Sequence, residues 1–211
     1  MKQRTTDIFN QLYQTYPSLK AMEEKIAKAF SILMDTCSKG GTVMVCGNGG
    51  CAADSEHIAG ELMKGFILHR GVSKNDKKFI KDIDEDILST LQGALPAISL
   101  VSQSGIISAV ANDNSPESVF AQQVFGYAKP GDTLIALSTS GNSKNVVNAI
   151  KVADAMGVNT ISMTGCKGGK CLELSTVCLN LPQAETFAVQ ELTLPVYHAL
   201  CAAVESELFE S

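Results

Sequence analysis

From Thr42 onward, short apolar runs alternate with longer stretches in which apolar residues recur every three or four positions. The runs are Thr42–Val45 (TVMV), Ala97–Val101 (AISLV), Thr133–Leu137 (TLIAL), Asn159–Met163 (NTISM) and Val177–Leu181 (VCLNL). Continuous apolar runs of this length read as strands buried on both faces. The intervening stretches predict helices behind Gly50, over 104–111, from Pro116, over Lys144–Met156 and from Glu185 to the C-terminus. Strands alternating with helices imply a parallel sheet covered on both faces, an α/β domain.

Ahead of the first strand, residues 4–14 are weakly helical, with Ile8, Phe9 and Leu12 on one face. Tyr16-Pro17 breaks that segment, and Pro17 suits the first turn of a second helix. Leu19, Met22, Ile26, Ala29, Phe30, Leu33, Met34 and Cys37 form its apolar stripe, and Lys39-Gly40-Gly41 ends it. This pair either packs partly on another subunit or completes one layer of the same domain.

Residues 67–95 break the pattern. His69 to Asp86 is dense in charges of both signs, and Ile83–Leu91 reads as a short amphipathic helix. The segment is either a solvated excursion or, lying directly after a helix that carries candidate chemistry, a lid or interface element. With no linker or repeat, residues 1–211 are expected to form a single domain.

Composition narrows the class. The chain has 211 residues, 45% of them hydrophobic and 18% charged, enough for a full core and against disorder. A net charge of -5 argues against non-specific nucleic-acid binding, which needs a basic surface. The start, MKQRTTDIF, has no apolar signal core, and no run approaches the roughly 18 apolar residues of a membrane span. Seven cysteines without a CxxC pair argue against a structural zinc finger and read mostly as small core residues of a reduced, cytoplasmic protein.

Three stretches carry candidate chemistry. The first strand runs into Gly47-Asn48-Gly49-Gly50, then a helix bearing His57 and Glu61. Four residues apart, these two share one helix face, where they can share a metal, or form only a surface pair. The third strand runs into Ser138-Thr139-Ser140-Gly141-Asn142-Ser143. Hydroxyls, free backbone N–H groups and the positive end of a helix dipole converge there, a phosphate cradle without the lysine of GxxxxGK[ST]. That favours a phosphomonoester on a small molecule over a nucleoside triphosphate. The last helix carries Gln190, Glu191 and His198. Gln190 and His198 are about 12 Å apart along an ideal axis, so they reach one point only if the helix bends, and Pro195 lies between them. His198 by itself is as readily a structural core residue.

CGNGG with HxxxEL behind it, ANDNSPESVFAQQV, LSTSGNSKNVVNAI, TGCKGGK and VQELTLPVYH occur in one order that resembles the sugar isomerase (SIS) domain family, and within it the phosphoheptose isomerases. The resemblance spans nearly the whole chain apart from 67–95. It implies a three-layer α-β-α sandwich with a five-stranded parallel sheet and N-terminal helices, a homotetramer, and sites at subunit interfaces. It implies zinc held by His57, Glu61, Gln190 and His198. Phosphate would rest on Ser138, Thr139, Ser140 and Ser143. Asn48, Gly49, Gly50, Cys51, Asn112, Asp113 and Gln190 would face the sugar.

The implied reaction converts sedoheptulose 7-phosphate to a heptose 7-phosphate. Moving a carbonyl from C2 to C1 needs a base, for which Glu61 is the candidate, and an acid or shuttle, for which His198 is the candidate. Zinc would polarise the carbonyl and stabilise the enediolate.

Three positions depart from the family pattern. Cys51 stands where Ser is usual, Gly65 where an Arg is usual, and Thr193 where a second His is common. They leave room for an isomerase of another sugar phosphate. They also leave room for a non-catalytic phosphosugar-binding regulator, like the replication-initiator-binding proteins that share the fold.

Overall fold

The computed structural model describes residues 1–72 and 82–209. The middle of the charged excursion, 73–81, therefore lies outside the described residues, and so does any lid or interface role placed on it. Five strands form one parallel sheet in the order β2-β1-β3-β4-β5: β1 (Val43–Cys46), β2 (Ala97–Ser99), β3 (Thr133–Leu137), β4 (Asn159–Thr164) and β5 (Val177–Asn180). The helices are α1 (Gln3–Thr15), α2 (Glu23–Ser38), α3 (Gly50–Met63), α4 (Glu85–Thr90), α5 (Ser104–Asp113), α6 (Val119–Tyr127), α7 (Lys144–Ala155), α8 (Gly169–Leu174) and α9 (Thr186–Phe209).

The period-two alternation of a strand sorts each strand's side chains between the two layers. Val43, Val45, Ile135, Leu137, Ile161, Met163, Val177 and Leu179 face the layer of α1, α2, α3 and α9. Met44, Cys46, Leu134 and Ala136 face the layer of α5 to α8. The N-terminal pair completes a layer of its own domain: Leu12, Leu19, Ile26 and Leu33 are buried in the same cluster as Val196 and Leu200 of α9. Truncating a fully buried residue such as Ile26 or Leu200 to Ala costs about 2–5 kcal/mol.

Some boundaries differ from expectation. Pro17 and Pro116 each open a 3-10 stretch, Pro17–Met22 and Pro116–Ser118, before the α-helix begins. α8 replaces part of what reads as loop, since Gly168 (φ +72°) and Gly169 (φ +54°) turn the chain into a six-residue helix. α9 is long and apolar enough, by composition, to cross a membrane, which the strict apolar-run reading passed over. Here it is the central core helix, with Val196, Tyr197, Leu200, Cys201 and Val204 buried and Glu205 inside an ion pair.

The sheet order positions the site. β2 lies on one side of β1 and β3 on the other, so the connections leaving β1 and β3 diverge to opposite layers. Ligands in open α/β sheets bind at that switch, at the strands' carboxyl ends. The two loops there are Gly47–Gly50 and Ser138–Ser143.

Candidate active site

The two loops at the switch are bonded to each other. Asn48 and Asn145, the latter in the first turn of α7, exchange two amide hydrogen bonds of 2.9 Å each. The serine-rich loop is held from within and from behind. Ser138 donates to Ser143 Oγ (3.0 Å), and Ser140 Oγ accepts from the Asn142 backbone N–H (3.1 Å). Gly165 N–H donates to Thr139 O, Cys171 N–H to Gly141 O, and Lys170 N–H to Asn142 Oδ1. Gly141 is required here: its φ is +67°, and a Cβ would lie 1.9 Å from Gly168 O. Ser143 makes no side-chain cap on α7, and of the first turn's N–H groups Val146 donates to Asn145 Oδ1 (3.0 Å), which leaves the Lys144 and Asn145 N–H groups at the helix end that favours an anion. Thr139, Ser140 and Asn142 line a cleft of about 390 Å³ together with Cys166 and Lys167. The lysine missing from the serine motif is therefore brought to the same cleft by the TGCKGGK loop.

The second half of the site is the seam where α3 meets α9. His57 Nε2 lies 3.0 Å from Glu61 Oε1 and 3.4 Å from His198 Nε2. On its other side, His57 Nδ1 lies 2.9 Å from Tyr197 Oη, which donates to Asp54 Oδ1 at 3.2 Å. Burial, then the neighbouring His57, holds the His198 pKa below its ordinary value against the pull of Glu61. A neutral imidazole at neutral pH follows, the form that accepts a proton or ligates a cation.

The seam is braced behind the reacting groups. Arg70 is fully buried and donates to the carbonyls of Leu62 (2.7 Å) and Glu61 (3.2 Å), satisfying the end of α3. Its Nε also pairs with Glu205 Oε1 at 2.7 Å, and Glu205 accepts the backbone N–H groups of Phe66, Ile67 and Leu68. Burial pushes the Glu205 pKa up, but those N–H groups and the guanidinium outweigh it, and the carboxyl ends below its usual range.

Comparison with known proteins agrees with this arrangement. The family model described as the SIS domain matches residues 9–77 and 87–165. The chain belongs to the SIS-domain family. A phosphoheptose isomerase from Akkermansia muciniphila is 37% identical over 194 residues, covering 92% of this chain and 91% of that protein. The solved phosphoheptose isomerase from Neisseria gonorrhoeae superposes with a TM-score of 0.74 at 28% identity, covering 96% and 97% of the two chains. That from Francisella tularensis gives 0.76 at 25% identity, with the same coverage. Among SIS-domain proteins this chain therefore stands with the isomerases, and it is an enzyme of that class.

The family's implied zinc can be weighed against the donors present. Two nitrogens bound to one tetrahedral zinc at about 2.0–2.1 Å stand about 3.3 Å apart. His57 and His198 meet that spacing with Nε2 atoms 3.4 Å apart. Glu61 Oε2 is buried without a hydrogen-bond partner, and Lys64 Nζ, at 3.9 Å, is too far to supply one. Among the described residues no group of three or more His, Cys, Asp or Glu side chains is already gathered to hold a metal ion. The arrangement is an open group hinged on His57, with an orphaned carboxylate oxygen and two facing ring nitrogens. Imidazole nitrogens and a carboxylate oxygen are donor types that zinc accepts.

Not every expected residue joins this group. Gln190 lies against Gly50 and donates to Cys51 Sγ at 3.9 Å. It serves the first turn of α3, whereas His198 serves the turn bearing His57, as their eight-residue separation along one helix requires. Cys51 is buried and turned toward Gln190, and burial raises its thiol pKa. Gly49 has φ +58°, and its carbonyl accepts the N–H groups of Ala52 and Ala53, while Asn48 O accepts that of Cys51. Thr193 is buried and bonds back to Val189 O, so it offers no ligand where a second His would stand. Asn112 and Asp113 end α5 exposed, bonded to each other at 2.7 Å.

Sequence reasoning missed Asn145, Lys167, Asp54, Tyr197 and the Arg70–Glu205 pair. Lys167 lies in a motif already quoted, and Tyr197 is next to His198. Nothing local marks Arg70 or Glu205, whose meaning is a contact across 135 positions.

Proposed function

We propose that this isomerase is an aldose–ketose isomerase of a phosphorylated sugar, taking sedoheptulose 7-phosphate to a heptose 7-phosphate with zinc at the α3–α9 seam. The observation that carries the reading is the convergence of His57, Glu61 and His198 on α3, the helix that leaves the Gly-rich loop.

The hydroxyls of Ser138, Thr139, Ser140 and Ser143 and the α7 N-terminus hold the phosphoryl end, with Lys167 adding positive charge. Asn48, Gly49, Asn112 and Asp113 face the sugar, and Gln190, placed over Gly50 and Cys51, belongs to that end. Glu61 takes the C1 proton as base and His198 returns a proton to the neighbouring carbon or oxygen. His57, Glu61 and His198 would hold the zinc, which when bound polarises the carbonyl and steadies the enediolate charge. Glu61 Oε2, without a hydrogen-bond partner, leaves one oxygen for the proton while the other faces His57. In this reading the enzyme works in the cytoplasm as a homotetramer whose interfaces border the site.

The test is turnover of sedoheptulose 7-phosphate against five- and six-carbon ketose phosphates by zinc-supplied enzyme. The proposal expects the highest kcat/KM for the seven-carbon substrate. Faster turnover of a shorter sugar would overturn the substrate and keep the isomerase.

A further inference from the structure

The chain has only two arginines, Arg4 and Arg70, and the Arg70 side chain is 0% exposed, as is its partner Glu205. Stability alone does not call for such a pair, because apolar residues of similar volume usually serve as well or better. Nor does the end of a helix call for it: a residue in left-handed backbone just past the last turn commonly satisfies the free carbonyls. Here Lys64 follows α3 in extended backbone, and the carbonyls of Glu61 and Leu62 receive the guanidinium instead.

The bonds of the pair reach both sides of the reacting groups. Arg70 ends on the backbone of Glu61 itself, at 3.2 Å. The Glu205 carboxylate takes Arg70 Nε and the N–H groups of Phe66, Ile67 and Leu68, which fills its lone-pair sites. Phe66, fixed in this way, sets its ring 5.3 Å from that of His198 between centroids. Glu205 lies seven residues beyond His198 on α9, about 10 Å along the axis. The α3–α9 seam is therefore fastened at two points, His57 against His198 and Arg70 against Glu205. Apolar packing between helices is non-directional, and one polar contact leaves them free to pivot about it. A second contact about 10 Å away along α9 removes that freedom.

We propose that Arg70 and Glu205 are positioning residues for the isomerisation, holding Glu61 at the distance and angle from His198 that proton transfer needs. The inference rests on the reading of Glu61 as base and His198 as acid. A misplacement of about 1 Å at such a site can cost about 10²-fold in rate. The phosphate end is held by the serine-rich loop, whose bonds involve neither residue, so the loss falls on kcat and leaves KM.

The test is Arg70→Lys, whose ammonium keeps the charge but is a compact point without the fork that reaches Glu205 and both carbonyls at once. Glu205→Gln, of unchanged shape, is the second variant. Each is assayed where a thermal melt shows it folded, on the ketose phosphate that wild type turns over best. The proposal expects kcat lowered about 10- to 100-fold with KM within about two-fold of wild type. Unchanged kcat in the folded variants would overturn it, as would a loss of rate that only follows the unfolded fraction. Failure of both variants to fold would make the pair a structural element and overturn it too. Glu61→Gln in the same assay keeps the two readings apart. Full activity there removes the assigned base, whereas an inactive Glu61→Gln beside a normal kcat in folded Arg70→Lys removes the positioning alone.

Discussion

The serine-rich loop and the α3–α9 seam are built on different principles. The loop's donors come from six consecutive residues, Ser138 to Ser143, and its geometry is kept by backbone bonds to the next loop in the chain. The seam joins residues more than 130 positions apart: His57 with His198, Asp54 with Tyr197, and Arg70 with Glu205. The loop needs permissive backbone, with Gly141 in left-handed φ. The seam needs two packed helices and a buried ion pair to bring its side chains together. With the phosphate on the loop and the carbonyl at the seam, as proposed, binding and chemistry should fail separately.

The sharpest break between the two is Glu61→Gln. Turnover should fall about 10²- to 10⁴-fold, as expected for loss of a general base, while phosphate-ester binding measured by calorimetry is retained. Loss of binding in step with turnover would erase the distinction.

Glu205→Ala probes the brace behind the seam. It leaves the buried Arg70 guanidinium without its carboxylate and should destabilise the fold by about 3–5 kcal/mol in urea unfolding. The same pair sets an acid limit. The folded-state pKa of Glu205 is depressed below 4.5, so its contribution is present above the unfolded pKa and is lost as pH falls through the folded one. Wild-type stability should therefore drop below about pH 4.5, and the variant should show a smaller drop.

Gly141→Ala strikes the loop instead. With a Cβ forced onto Gly168 O in left-handed backbone, a cost of about 1–3 kcal/mol is expected. Phosphate affinity should fall with His57–His198 chemistry unaltered, seen as a raised KM with kcat nearly kept. The mildest is Asn145→Ala, which removes the amide pair to Asn48 for about 1 kcal/mol and should loosen substrate binding a few-fold.

What was readable in the chain follows the same divide. All five strands and their parallel arrangement show in apolar runs, because strands buried on both faces leave a local signature. The serine and glycine loops show for the same reason. His57 and Glu61, four apart on one helix, are visible as a pair. Their junction with His198 is not, since helical spacing fixes a face and not the opposing helix. Which turn of α3 each residue of α9 meets is not legible either: α9 continues through Pro195, with Gln190 against Cys51 and His198 against His57. Arg70 was hidden in a charged stretch that reads as solvated. It becomes intelligible only when Glu205, on a helix apolar enough in composition to cross a membrane, is seen to receive it.

Metal content and sedoheptulose 7-phosphate turnover, measured on one preparation before and after chelation, test the central claim most directly. The account predicts stoichiometric zinc and aldose phosphate formation, both lost on chelation and both restored by zinc. Full turnover by the metal-free protein, or zinc binding that survives loss of both His57 and His198, would contradict it.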